Sequence, residues 1–189
     1  MQQRGEQQMS FNIYNIEPEL AKAKLYTGIL CAAGYDAHII GGALRVLAVG
    51  GTTSDVDIAV LGTQKDSVSL HNDLRILLGG LAKFELQHTQ TYSSQCGFIA
   101  DWRGGNINII NYDIDRYSSI EELVLGFDYN FNMYLLDSDH KLYNPYPLGV
   151  NKVRLNTNIA THHNLDKVVN ERTPRFKKDL PHLDWSCVK

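Results

Sequence analysis

Residues 41–58 read GGALRVLAVGGTTSDVDI, and they leave the chain little choice of local course. A glycine pair, a short apolar run that suits a helix, a second pair at Gly50 and Gly51, and then an alternating stretch spell turn, helix, turn, strand. On that strand Val56, Ile58 and Val60 share one face, and Asp55, Asp57 and Ala59 share the other. The two carboxylates then lie about 7 Å apart along the chain, near enough to reach one divalent cation or two neighbouring ones. Hard anionic oxygens of this kind suit magnesium. Gly41 and Gly42 fall at a strand-to-helix junction, where missing side chains let backbone N–H groups meet a phosphate at the positive end of the next helix. Arg45, one turn further on, can point at the same anion. Taken singly, a glycine pair is most often just a turn, DxD occurs by chance, and a helix arginine is usually solvated; their joint order and spacing is far more selective.

The remaining pattern mixes helix and strand. EPELAKAKLYTGILCAA (17–33) carries Leu20, Ala23, Leu25, Ile29, Leu30 and Ala33 at roughly helical spacing and stops at Gly34. YDAHIIGG reads as a strand entering a turn, SVSLHNDLRILLGGL as a helix, and AKFELQHT as a strand. CGFIADWRGGNINIINYD is two strands joined through Arg103–Asn106 as a hairpin. SSIEELVLGF is a helix capped by Ser118 or Ser119, with Glu121 and Glu122 serving its first turn; FDYNFNMYLLDSDHKLYNP suggests a strand, a polar turn and a return. The expected class is α+β, a mixed sheet with helices packed on one face.

A length of 189 residues allows one domain with a sizeable core, and 43% hydrophobic against 21% charged residues is ordinary for a globular chain. We expect a flexible leader at 1–15, a domain at 16–157 and a partly basic extension at 158–189. That extension holds Arg172, Arg175, Lys177 and Lys178 and reads as solvated rather than as a substrate-contacting arm. The net charge of −3 creates no global basic field to recommend nucleic acid. Cys31, Cys96 and Cys187 are far apart, without a CxxC pair, which favours reduced thiols over a disulfide framework or zinc site. With no apolar run of membrane-spanning length, the expected location is cytoplasmic, with no membrane partner.

The segment GGALRVLAVGGTTSDVDI resembles the signature of the DNA polymerase β-like nucleotidyltransferases, most closely that of bacterial-type CCA-adding enzymes and poly(A) polymerases. Gly41, Gly42, Arg45, Gly50, Asp55 and Asp57 match that pattern without a gap, and Val46 stands where the pattern has an aspartate. The hairpin GFIADWRGGNINIINY is similar to one whose second strand carries an acidic residue in the family; Asn108 occupies that place. FDYNFNMYLLDSDHKLYNP is similar to a further motif, with Asp128 and Asn132 matching, Phe127 in place of an arginine and Asn144 in place of the aspartate before Pro145. The likeness covers roughly residues 20–155 and implies a catalytic head alone; the helical domains with which the family selects the base and holds tRNA are not expected in this sequence.

The resemblance implies attack of an acceptor hydroxyl, on an RNA 3′ end such as that of tRNA or on another acceptor, at the α-phosphate of a nucleoside triphosphate, with release of pyrophosphate. It implies Asp55, Asp57 and Asn108 as the catalytic positions, with Asp55 and Asp57 as ligands of magnesium or manganese. Gly41, Gly42, Arg45, Ser54, Asp128 and Asn132 would bind the nucleotide. Asn108 carries no charge and cannot accept the acceptor's proton, so Asp101 or Asp113 is a candidate substitute, and a nucleotide-binding relative without turnover is the rival reading. His162 and His163 read as surface residues. Tyr112, Tyr129 and Tyr134 read as packing residues rather than base-stacking ones.

Overall fold

A computed structural model describes residues 17–79, 98–136, 140–146, 150–157 and 165–188. The expected leader, the strand expected at AKFELQHT, and His162 and His163 lie outside the described residues.

Helix α1 (Glu17–Ala32) opens on Glu17 and Glu19, and it leads into β1 (Asp36–Ile40) through Gly34, whose φ of 93° suits only glycine comfortably. Leu20, Ala23, Tyr26 and Leu30 form its buried stripe. Leu25, expected inside, is 53% exposed, because it lies about 140° around the helix from Leu20. Then follow α2 (Gly42–Val49), β2 (Val56–Gly62) and α3 (Gln64–Leu77). The hairpin forms as expected, β3 (Phe98–Gly104) and β4 (Ile107–Asp113) turning at Gly105 with φ 61°. Helix α4 (Ile120–Leu125) is capped by Ser119, whose hydroxyl accepts from the Glu122 N–H, while the Glu122 carboxylate accepts from the N–H and hydroxyl of Ser118.

The four long strands make one mixed sheet in the order β1-β2-β4-β3. β1 runs antiparallel to β2, β3 antiparallel to β4, and β2 parallel to β4. Strand alternation divides the core in two. Val56, Ile58, Val60, Ile107 and Ile109 pack against buried residues of α1, α2 and α3. Ala59, Leu61 and Tyr112 pack against Ile120, Leu123 and Val124 of α4 on the opposite face. The α+β mixed sheet is as expected, but helices cover both faces, since Ala59 and Leu61 leave an apolar area that only α4 and its neighbours can cover.

Between Asp128 and Met133 the expected strand is replaced by a 3₁₀ turn, Asn130–Asn132, followed by a two-residue ladder of β5 (Leu135–Leu136) with β6 (Leu142–Tyr143). Asn130 accounts for the turn: its side chain accepts from the Arg154 N–H and donates to the Lys152 carbonyl, which ties the turn to the following segment rather than to a sheet.

The C-terminal residues also correct an expectation. They are helical, as α5 (Leu165–Lys167), a π-helical turn (Val168–Arg172) and α6 (Thr173–Asp179). Phe176 and Leu180 are fully buried with Tyr129, Phe131, Val153 and Val168. Tyr129 and Phe131 stack at 4.9 Å, and Phe176 meets them edge-on at 5.5 and 5.1 Å. Two apolar anchors in an otherwise charged stretch suffice to dock it. If this segment is part of the cooperative unit, Phe176→Ala lowers the unfolding free energy by about 3–5 kcal/mol. Denaturant unfolding should then show one transition at a lower midpoint rather than a separate early step.

Candidate active site

The cavity that gathers the sequence motifs has a volume of about 790 Å³. Asp55, Asp57, Asn108, Gly41, Gly42, Arg45, Ser54, Asp128 and Asn132 all line it. Residues spread over more than ninety positions of sequence therefore converge. The pairing of β2 with β4 is the main cause, since it sets Asp57 directly beside Asn108 on neighbouring strands.

Asn108 Nδ2 donates to Asp57 Oδ1 at 2.9 Å and to Asp55 Oδ2 at 3.2 Å. Burial pushes the Asp57 carboxyl up to about 6, the Asn108 hydrogen bond opposes that rise, and the charge of Asp55 adds to it. Asp101 and Asp113, the candidates to replace a missing acid, do not line the cavity. Asp101 pairs with Arg103 at 3.3 Å, and Asp113 accepts from the Asp115 N–H. Among the described residues no group of three or more His, Cys, Asp or Glu side chains comes together to hold a metal ion. The two carboxylates are nevertheless hard oxygen donors that fit magnesium or manganese, with the remaining positions left to water or phosphate oxygens, while Asn108 presents its N–H group to them rather than its carbonyl.

The glycine pair is needed for two reasons. Gly41 caps α2 at φ 78°, and a Cβ there would lie 3.2 Å from Asp57 Oδ2. A Cβ on Gly42 would meet Thr53 Oγ1 at 2.7 Å, so the helix start and the loop before β2 can approach only without that side chain. Val46, the position that departs from the signature, is buried in the core against the sheet, where an aspartate would be an uncompensated charge.

Arg45 does not stand free at this junction. It is 5% exposed, donates to Asn132 Oδ1 at 3.3 Å and to the Thr52 carbonyl, and its Nε has no hydrogen-bond partner among the described residues. Asn132 in turn donates to Asp128 Oδ1 at 2.8 Å, and Arg172 holds Asp128 Oδ2 at 2.9 Å. This chain of contacts runs from α2 through the 3₁₀ turn to the π-helical turn. Burial, then the charges of Arg175 and Arg172, lowers Arg45 to about 10. The guanidinium carbons of Arg45, Arg172 and Arg175 lie 4.8, 5.4 and 5.0 Å from the Phe176 ring centre.

Sequence reasoning did not assign Arg103, Lys167, Glu171, Arg172 and Arg175 to this cavity, although all five line it. The basic cluster was visible in the sequence, and the signal that could have placed it was Phe176 between Arg175 and Lys177, an apolar anchor among charges. Tyr129 is buried packing, as expected; Tyr112 is packed edge-on to Tyr117 at 6.1 Å and also borders the cavity.

The raised Asp57 carboxyl has a consequence for stability. Its native form holds the proton more tightly than the unfolded chain, so its stabilising contribution is complete below pH about 4 and is lost as pH rises through about 6. In metal-free buffer Asp57→Asn should raise the melting temperature at pH 7.5 and lose that advantage near pH 4. Scanning calorimetry across this range is the check; an advantage independent of pH contradicts it.

No protein-family model matches the chain. A CCA-adding enzyme of Francisella tularensis subsp. tularensis (strain FSC 198) is 24% identical over 158 residues, which is 80% of this chain and 42% of that protein. A solved structure of a CCA-adding enzyme with ATP matches with a TM-score of 0.54 at 16% identity, over 88% of this chain and 40% of that one. The Thermotoga maritima CCA-adding enzyme complexed with tRNA matches with a TM-score of 0.53 at 18% identity, over 85% and 38%. The chain thus spans about two fifths of the length of these relatives. The resemblance read from the sequence is borne out at the level of fold: this α+β chain has the nucleotidyltransferase fold found in CCA-adding enzymes.

Proposed function

We propose that this chain is a metal-dependent nucleotidyltransferase, moving a nucleotide from a nucleoside triphosphate to an acceptor hydroxyl and releasing pyrophosphate. The observation that carries this reading is the placement of a carboxylate pair and a guanidinium cluster in one cavity of about 790 Å³. An RNA 3′ end such as that of tRNA is the acceptor favoured by the likeness to a CCA-adding enzyme complexed with tRNA. Asp55 and Asp57 would hold a magnesium or manganese ion, which would supply charge neutralisation at the phosphates.

The protein's own groups do the rest. The backbone N–H groups at Gly41 and Gly42 and the hydroxyl of Ser54 are donors for phosphate oxygens at the start of α2. Arg45, whose Nε has no hydrogen-bond partner among the described residues, and Arg172 and Arg175 provide the positive field that holds a tetra-anionic triphosphate and stabilises the leaving pyrophosphate. Asp128 and Asn132 orient two of these guanidiniums through direct contacts.

A second reading, a nucleotide-binding relative that does not turn over, is favoured by one observation: the side chain beside both aspartates is an amide that donates to them. Label transfer from each α-labelled NTP to total tRNA, other RNA or cell protein, with magnesium or manganese, separates the two. Asp57→Ala should reduce transfer at least about a hundredfold. Wild-type transfer no greater than that of an Asp55→Ala, Asp57→Ala control under either metal sinks the enzyme reading, and NTP binding without transfer establishes the other. Arg175→Ala, which leaves the Asp128 pair intact, should weaken NTP binding by roughly tenfold, measured by equilibrium dialysis.

A further inference from the structure

The two oxygens that Asn108 contacts, Asp57 Oδ1 and Asp55 Oδ2, belong to the two carboxylates that a shared divalent cation would need. The other two carboxylate oxygens have different surroundings. Asp55 Oδ1 is approached by the Thr53 hydroxyl at 3.4 Å, and Asp57 Oδ2 faces Gly41 closely enough that a Cβ there would be 3.2 Å away. The amide orientation is dictated by chemistry, since turning the carbonyl toward two carboxylates would set three partial or full negative charges against one another. As it stands, the N–H group satisfies both anions at once and relieves their mutual repulsion.

A cation on the same carboxylates reverses this preference. The amide must then give up two charge-assisted hydrogen bonds and turn its carbonyl inward, or withdraw. A second obstacle is independent of Asn108. Arg45, Arg172 and Arg175 line the same cavity and surround one phenylalanine ring, so a bare dication meets like charge there, whereas a cation already carried on a triphosphate brings a net negative charge.

Resting on the nucleotidyltransferase reading, we propose that Asn108 is an internal competitor of the divalent cation, so that this site resists the bare ion and takes it up as the nucleotide complex. Asn108 is on this view a positioning residue that governs the order of binding. Asp55 and Asp57 remain paired until a ligand displaces the amide from between them.

The test is a manganese titration of the metal-free protein followed by electron paramagnetic resonance, without nucleotide and then with a non-hydrolysable NTP analogue. Asn108→Ala should bind bare manganese roughly tenfold or more tightly than the wild type, the equivalent of one charge-assisted hydrogen bond released. The difference should narrow when the analogue is present. An affinity for bare manganese that is unchanged or weaker in Asn108→Ala overturns the proposal, because an amide acting as an oxygen ligand or a purely structural group gives that result. A difference equally wide with and without the analogue overturns the inference about binding order. Should Asn108→Ala fail to fold, Asn108→Leu, closer in volume, is judged by the same criterion. The bare-ion titration requires no turnover, so it can fail while nucleotide transfer is intact, and it can succeed in a protein that transfers nothing.

Discussion

Parallel pairing of β2 with β4 places Asp57 beside Asn108, and most of the cavity is arranged around that register. A shift of one residue would turn Asp57 and Asn108 to opposite faces and send the carboxylate into the apolar layer under α1, α2 and α3. The register is protected by Val56, Ile58 and Val60 on one side and Ala59 and Leu61 on the other, all of them buried. Two apolar layers of different residues cannot both be satisfied in any neighbouring register. The polar edge is thereby fixed by apolar packing that lies elsewhere on the same strands.

The C-terminal helical segment completes the site by a different kind of interaction. Its anchor is Phe176, held in an aromatic cluster, and its polar tie is Arg172 on Asp128. The ion pair is nearly buried on the aspartate side, so its geometry is tightly constrained, and Asn132 passes that constraint on to Arg45. Docking of one helix therefore orients a guanidinium that begins more than a hundred residues earlier. It also concentrates positive charge: three guanidiniums lie around one ring, and the charges of Arg175 and Arg172 add to burial, the larger cause, in lowering Arg45.

The carboxylate pair and the guanidinium cluster impose opposite demands. Asp55 and Asp57 are relieved by a positive or donor group, and the arginines by an anion. A metal–triphosphate complex meets both demands, and within the protein itself Asn108 and Asp128 meet them in part.

Much was legible from the sequence because it was local. The helix starts, the hairpin at Gly105, the alternation of β2 and the glycine pair at α2 follow from backbone stereochemistry and side-chain period, which need no partner. The joint spacing of Gly41, Gly42, Arg45, Asp55 and Asp57 was readable for the same reason, since a strand, a tight turn and one helical turn bring them together within eighteen residues. What lay beyond the sequence was decided by distant contacts. Leu25 points outward because the sheet accepts Tyr26 instead, the 128–133 segment becomes a turn because Asn130 binds the backbone of Lys152 and Arg154, and the supposed solvated tail docks on a core that forms only when Tyr129 and Phe131 are in place. Composition favours solvent for a basic stretch, and only the tertiary structure supplies the apolar surface and the single carboxylate, Asp128, that outweigh it.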